Sequence, residues 1–106
     1  MTAQRVASLS DLPPGTVTAV EIAGRSVALA STEDGVFALQ DRCTHGAVKL
    51  SEGELDGCTL ECWLHGSRFD LRTGKPTGPP AVTPVPTYTV TVVGDDVLVD
   101  VDVSAT

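Results

Sequence analysis

The sequence of 106 residues predicts an all-β fold, an antiparallel β-sandwich or small barrel. Runs rich in β-branched residues are short, turn signals separate them, and no segment has the apolar spacing of a convincing helix. Only 4% of the residues are aromatic, so the core must consist mainly of Val, Leu, Ile and Ala. The length fits one domain, and we expect residues 1–106 to form it.

Three strands are predicted in the first half of the chain. The run 16–22 is β-branched and follows a Pro-Pro-Gly turn. Ala23-Gly24 then turns the chain into a second strand, 25–30. A Glu-Asp-Gly turn leads to the third strand, 36–39. These three strands form one half of the expected scaffold.

Two further strands are predicted near the end of the chain. The runs 88–93 and 97–101 are rich in valine and flank Gly94-Asp95-Asp96, which is a clear hairpin signal. Between the two groups of strands lies a different segment, 42–80, with several glycines and the proline-rich stretch 74–80. We expect this segment to be a small subdomain inserted in the β scaffold.

Both histidines and two of the three cysteines fall into one pattern inside this insert. It reads Cys43-Thr44-His45, sixteen residues, and then Cys62-Trp63-Leu64-His65. Such a pattern offers two thiolates and two imidazoles to one centre. Zinc also accepts two Cys and two His, but zinc fingers usually pair Cys with Cys and His with His. A cysteine–histidine catalytic dyad is the other alternative, although it would leave half of the pattern unused.

The pattern resembles the signature of the Rieske-type iron–sulfur proteins, in which two Cys hold one iron of a [2Fe–2S] cluster and two His hold the other. Nearly the whole chain is similar to the small Rieske ferredoxins of bacterial multicomponent non-haem iron oxygenases, such as aromatic-ring dioxygenases. The strongest similarity lies in 43–46, in 61–70, and in 72–74 with 78–80. The resemblance implies an all-β Rieske fold with the cluster at the tip of the subdomain.

The resemblance also implies the ligands and the role. Cys43 and Cys62 would bind one iron, and His45 and His65 would bind the outer iron. The protein would be an electron carrier and not itself an enzyme, taking electrons from an NAD(P)H-dependent flavoprotein reductase and passing them to a terminal oxygenase. Neutral imidazoles in place of two thiolates make such a centre easier to reduce.

Five further residues are candidates for a place around the cluster or in partner docking: Gly46, Trp63, Gly66, Ser67 and Pro79. The two glycines follow the histidines and permit tight turns. Trp63 would cap the cluster edge, form a docking contact or pack within its own loop. Ser67 would donate a hydrogen bond near the cluster or to its own backbone.

The chain departs from the respiratory cytochrome bc-type Rieske proteins at three positions. Val48 and Leu64 stand where those proteins have the cysteines of a disulfide, so that bridge cannot form. Phe69 stands where a tyrosine would donate a hydrogen bond to the cluster region. Fewer donors stabilise the reduced cluster less, so we expect a lower potential than in the respiratory type.

Two other functions stay open from the sequence. The small subunit of a nitrite reductase shares this fold, although many such subunits lack the ligands. A zinc-stabilised β interaction module would have no redox role at all. The metal content separates the second alternative directly.

The formal charge of −7 is uneven along the chain. Residues 42–75 carry five basic and five acidic side chains, whereas the rest carries two basic and nine acidic ones. Nucleic acid is therefore not an expected partner, because phosphate binding needs a basic surface. No apolar stretch suits a signal peptide or a membrane span, so the expectation is a soluble, cytoplasmic monomer.

Cys58 is the remaining thiol. Four residues of extended chain span about 13 Å, which exceeds the limit of about 7 Å between the Cα atoms of a disulfide. A bridge between Cys58 and Cys62 is therefore not expected. We predict that Cys58 is a small residue of the core.

Overall fold

The computed structural model describes residues 3–42, 48–63, 66–78 and 83–104. Within these ranges the chain forms nine β-strands and two short 3-10 helices, so the all-β expectation is confirmed. The strands are β1 Gln4–Ser8, β2 Thr16–Ile22, β3 Arg25–Thr32, β4 Gly35–Gln40, β5 Glu54–Asp56, β6 Thr59–Glu61, β7 Arg68–Asp70, β8 Thr87–Val93 and β9 Asp96–Ser104. The 3-10 helices are Leu9–Asp11 and Leu50–Glu52. Across these ranges, no helix is long and apolar enough to span a bilayer.

Six strands form the larger antiparallel sheet, in the order β1-β9-β8-β4-β3-β2. It contains all five predicted strands, and β2 has the predicted bounds. The others extend by one to three residues beyond the predicted ends. Strand β1 was not predicted, because its sequence is mostly polar and has no clear alternation. It forms by pairing with β9, with Gln4 opposite Val99.

Three short strands form the smaller antiparallel sheet, in the order β5-β6-β7. All three lie within the segment 42–80. Glu54 pairs with Glu61 across β5 and β6, and Glu61 pairs with Arg68 across β6 and β7. These strands were not predicted individually, because three residues are too few to show a period of two.

Strand β3 explains how the two sheets are held together. Residues 27–31 of this strand are all buried, although successive side chains of a strand point to opposite faces. Val27 and Leu29 pack into a core inside the larger sheet, with residues of β8 and β9. Ala28 and Ala30 pack into a second core, shared with the smaller sheet. The small alanines let the smaller sheet approach the scaffold closely.

The turn after β7 adds a polar contact between the two sheets. The Arg72 guanidinium donates to the carboxylate of Asp34, on the turn between β3 and β4, at 3.3 Å. The same guanidinium lies over the ring of Phe37, 5.8 Å from its centroid. The pair is exposed and contributes modestly to stability. It nevertheless favours one orientation of the turn that follows β7.

Candidate metal centre

One of the four predicted ligands, Cys62, lies in the part of the chain that the structure describes. Cys43, His45 and His65 lie outside the described residues, as do Gly46 and Pro79. Their assignment therefore remains a prediction from the sequence pattern. The geometry of the site is built below from Cys62 and the residues around it.

Cys62 follows directly after β6 and is fully buried. It belongs to the core shared by the two sheets, beside Leu60, Phe69 and Leu71. Phe69 is also fully buried, and its ring presents no hydrogen-bond donor to the region around Cys62. The thiol therefore lies in apolar surroundings that limit the access of water.

The backbone holds Cys62 through both of its peptide groups. Its N–H donates to the carbonyl of Ser67 at 2.6 Å, and its carbonyl accepts from the N–H of Gly66 at 3.0 Å. These bonds close a tight loop, and Gly66 turns it with a φ of 74°, in the left-handed region that favours glycine. A thiol held at the base of such a loop, in dry surroundings, is chemically suited to be a thiolate ligand of iron. The described residues thus fit the implied cluster.

The two neighbours of this loop differ sharply in exposure. Trp63 is 53% exposed, although it directly follows the fully buried Cys62. An aromatic side chain in this position is available for contact with a partner surface. Ser67 is fully buried at the other end of the loop. Its hydrogen bond to the cluster region remains a prediction.

Cys58 lies in the turn between β5 and β6, rather than in an extended run as its sequence suggested. It is a free thiol, half-buried and packed against the core shared by the two sheets. The prediction of a small packing residue therefore holds. Burial raises the pKa of its thiol; Arg72 lowers it in part, and the carboxylates of Asp70 and Asp34 raise it further.

We expect Cys58 to react slowly with iodoacetamide, because the thiolate is the reactive form and its formation is disfavoured. The alkylation rate at Cys58, followed by peptide mass spectrometry from pH 7 to 10, should rise with a midpoint above the ordinary value of 9.0. Because the folded pKa is raised, the corresponding stabilisation is complete below the unfolded pKa and is lost as the pH rises through the folded pKa. A midpoint below the ordinary value would contradict this description.

Sequence reasoning missed two residues near the site. Asp41 is buried just before the first Cys/His pair, and Gly53 lies against the backbone of Glu61, the residue before Cys62. The sequence carried a weak signal for Asp41, an acidic residue at the end of a buried strand and two positions from a ligand. It carried no signal for Gly53, since its role depends on contact between separate strands.

Comparison with known proteins then decides the family. The family model described as the Rieske [2Fe-2S] domain matches residues 2–89. The chain belongs to the Rieske [2Fe–2S] family. It is a Rieske-type ferredoxin, an electron carrier with a [2Fe–2S] cluster, and the expectations for family, fold and cofactor are confirmed.

Two relatives of this Rieske ferredoxin are components of dioxygenase systems. The biphenyl dioxygenase ferredoxin subunit of Pseudomonas sp. strain KKS102 is 43% identical over 101 residues, which cover 94% of this chain and 93% of that protein. A solved complex of reduced oxygenase and oxidised ferredoxin in carbazole 1,9a-dioxygenase contains a chain that matches with a TM-score of 0.86 at 38% identity. The match covers 92% of this chain and 91% of that one. The Rieske ferredoxin is accordingly an electron-transfer component and not itself the enzyme.

A third similar structure is described provisionally as the small subunit of an NADPH nitrite reductase. It matches the Rieske ferredoxin with a TM-score of 0.81 at 30% identity, over 93% of this chain and 98% of that one. The fold alone therefore does not distinguish the two kinds of protein. The identity is higher for the two dioxygenase ferredoxins, 43% and 38%.

Proposed function

We propose that this Rieske ferredoxin carries single electrons from an NAD(P)H-dependent flavoprotein reductase to a terminal Rieske non-haem iron oxygenase. Cys43 and Cys62 bind the inner iron, and His45 and His65 bind the outer one. The chain acts as one domain, 1–106, with the segment 42–80 inserted as the cluster-binding subdomain. The observation that carries the proposal is Cys62, a buried thiol at the base of a tight loop within the complete Cys-x-His and Cys-x-x-His pattern.

The protein residues perform distinct tasks around the cluster. When bound, the cluster supplies a centre that accepts and releases one electron at a time. Cys62 anchors it at the boundary of the core, because both peptide groups of this residue are already hydrogen-bonded. The apolar side chains around Cys62 limit water and lower the local dielectric. Little reorganisation of this frame is needed when the charge changes, which favours fast electron transfer.

The partners are proposed by analogy with the relatives. A ferredoxin bound to its oxygenase is the subject of the carbazole 1,9a-dioxygenase structure. The exposed Trp63 supports docking at the end of the subdomain, since tryptophan is enriched in interface hot spots. We further propose that the carrier is a monomer in the cytoplasm, where NAD(P)H supplies the reductase.

The proposal is tested first on the purified protein. Electron paramagnetic resonance is recorded before and after reduction with dithionite, and iron and sulfide are assayed on the same sample. The expected result is a signal only after reduction, with about two irons and two sulfides per chain. About one zinc per chain and no signal, reproduced after anaerobic iron-replete expression, would instead favour the zinc-stabilised module.

The partners are tested by electron delivery. The reduced protein is mixed with the oxygenase component of a biphenyl dioxygenase system and, separately, with a sirohaem nitrite reductase. Fast oxidation by the oxygenase alone supports the proposal. Oxidation by the nitrite reductase alone would transfer this chain to the alternative function.

Replacing Trp63 by alanine is expected to weaken binding to the oxygenase by about tenfold or more, as for a hot-spot aromatic residue. The signal of the reduced cluster should stay unchanged, because the side chain of Trp63 is mostly in solvent. Titration of the oxygenase with wild-type and variant protein measures the dissociation constants.

Val93→Ala is the matched control for Trp63. Val93 is also an exposed apolar residue, 60% exposed, but it lies at the end of β8 in the scaffold. Its replacement should leave the affinity for the oxygenase unchanged. Equal losses in both variants, or no loss in the Trp63 variant, would place the docking contact elsewhere.

A further inference from the structure

A buried carboxylate lies at the point where the chain leaves the scaffold for the first Cys/His pair. Asp41 follows β4 directly and is 4% exposed. One of its oxygens, Oδ1, accepts from the N–H of Ser51 at 2.7 Å, and the other, Oδ2, accepts from the hydroxyl of Ser51 at 2.7 Å. Both hydrogen bonds are charge-assisted, and both go to one residue ten positions along the chain.

The scaffold holds Asp41 from the other side. Its N–H donates to the carbonyl of Ser26 at 3.0 Å, and the N–H of the preceding Gln40 donates to the carbonyl of Pro86 at 2.9 Å. The N–H of Arg42 donates to the carbonyl of Gln40 at 2.8 Å, so the chain turns tightly at Asp41. The carboxylate is therefore fixed to the scaffold and not to a mobile side chain.

Ser51 connects this fixed point to the second ligand pair. It lies in the 3-10 helix Leu50–Glu52, which is anchored by the fully buried Leu50. The next residue after that helix, Gly53, lies so close to β6 that a Cβ there would overlap the carbonyl oxygen of Glu61. Glu61 directly precedes Cys62. A change at Ser51 is therefore transmitted to the strand that carries Cys62.

We propose that Asp41 is a positioning residue for the cluster. By accepting both donors of Ser51, it joins the two ends of the segment 42–50, which contains Cys43 and His45 in the sequence. The same contact sets this segment against the strand that ends at Cys62. The inference rests on the proposed function, because it assumes that the two Cys/His pairs bind one cluster.

The test compares Asp41→Asn, Ser51→Ala and the double variant in the cluster-loaded protein. The readouts are the g-values and the reduction potential of the cluster, and its rate of loss to a chelator. Each single change is expected to shift the g-values and to speed cluster loss about tenfold, as for the loss of an outer contact in a metal site. The double variant should match the larger single effect, because both changes remove the same contact between the carboxylate and the hydroxyl.

Two further variants separate positioning from charge and from general stability. Asp34→Asn also removes one negative charge, but on the exposed pair with Arg72; it should leave the g-values unchanged. Ser51→Thr keeps the N–H and the hydroxyl and should restore the wild-type signal. Ser51→Ala leaves the charge of Asp41 in place, so a shift of its potential reports a change in geometry.

The outcomes are decisive in both directions. Wild-type g-values, potential and cluster loss in Ser51→Ala would overturn the inference, as would a shift that Ser51→Thr fails to reverse. If Asp41→Asn does not fold, by circular dichroism, the two Ser51 variants alone decide. A wild-type protein without a signal on reduction would instead contradict the proposed function, independently of Asp41.

Discussion

Replacing Cys62 by serine is expected to abolish the [2Fe–2S] cluster. A serine hydroxyl is far harder to deprotonate than a thiol, and it is a poor ligand of iron in a sulfur-ligated cluster. The position is fully buried and its peptide groups are already hydrogen-bonded, so a neighbouring side chain has little room to replace the thiolate. Iron and sulfide assays and the signal of the reduced protein should all fall close to zero.

Cys58→Ser is the matched control, because it removes a thiol four residues away in the same subdomain. Cys58 is half-buried and packs against the core, so this variant should lose some stability but keep its iron and sulfide. A cluster that persists in the Cys62 variant and disappears in the Cys58 variant would exclude the proposed ligand set. The pair of variants therefore tests the assignment of the ligand and not merely the presence of cysteine.

Replacing Gly74 by alanine is expected to destabilise the protein severely. Gly74 has a φ of 76°, and a Cβ there would overlap the carbonyl oxygen of Val85 and approach the Cγ2 of Thr87 to 3.0 Å. Left-handed backbone costs alanine about 1 kcal/mol, and forced overlap in a packed region costs about 1–3 kcal/mol more. For a domain of this size, each kcal/mol lowers the melting temperature by about 4–8 °C.

Two other glycines separate the two costs. Gly57 has a φ of 59° but no atom near a Cβ, so Gly57→Ala should show only the backbone cost, about 1 kcal/mol. Gly78 has open space and no left-handed φ, so Gly78→Ala should stay within about 0.5 kcal/mol of the wild type. Thermal unfolding of the three cluster-loaded variants, followed by circular dichroism, gives the order. Equal melting temperatures for Gly74→Ala and Gly78→Ala would contradict the close approach to Val85.

The strands of the scaffold could be predicted from the sequence because each is long enough to show its character. Strand β2 has the predicted bounds, and the hairpin of β8 and β9 turns at Gly94-Asp95 as expected. Strand β1 and the three-residue strands of the smaller sheet could not be predicted. Their existence depends on hydrogen bonds to partners that are distant in the sequence, and local pattern carries little of that information.

The site could be predicted to a different depth at each level. The spacing of Cys43, His45, Cys62 and His65 indicated a Rieske cluster, because ligand type and order are properties of the sequence itself. The burial of Cys62 beside Phe69 and the exposure of Trp63 became visible only in the structure. Neighbouring residues of one short loop differ here because one faces the core between two sheets and the other faces solvent.

The sequence by itself determined the fold class, the family and the composition of the ligand set. These depend on residue types and on spacings along one chain, which are present before folding. Only the tertiary structure decided that Asp41 joins Ser51 and that Gly53 and Gly74 lie against the backbones of other segments. These contacts join residues eight to eleven positions apart or on separate strands, so they arise from the register of the packed sheets.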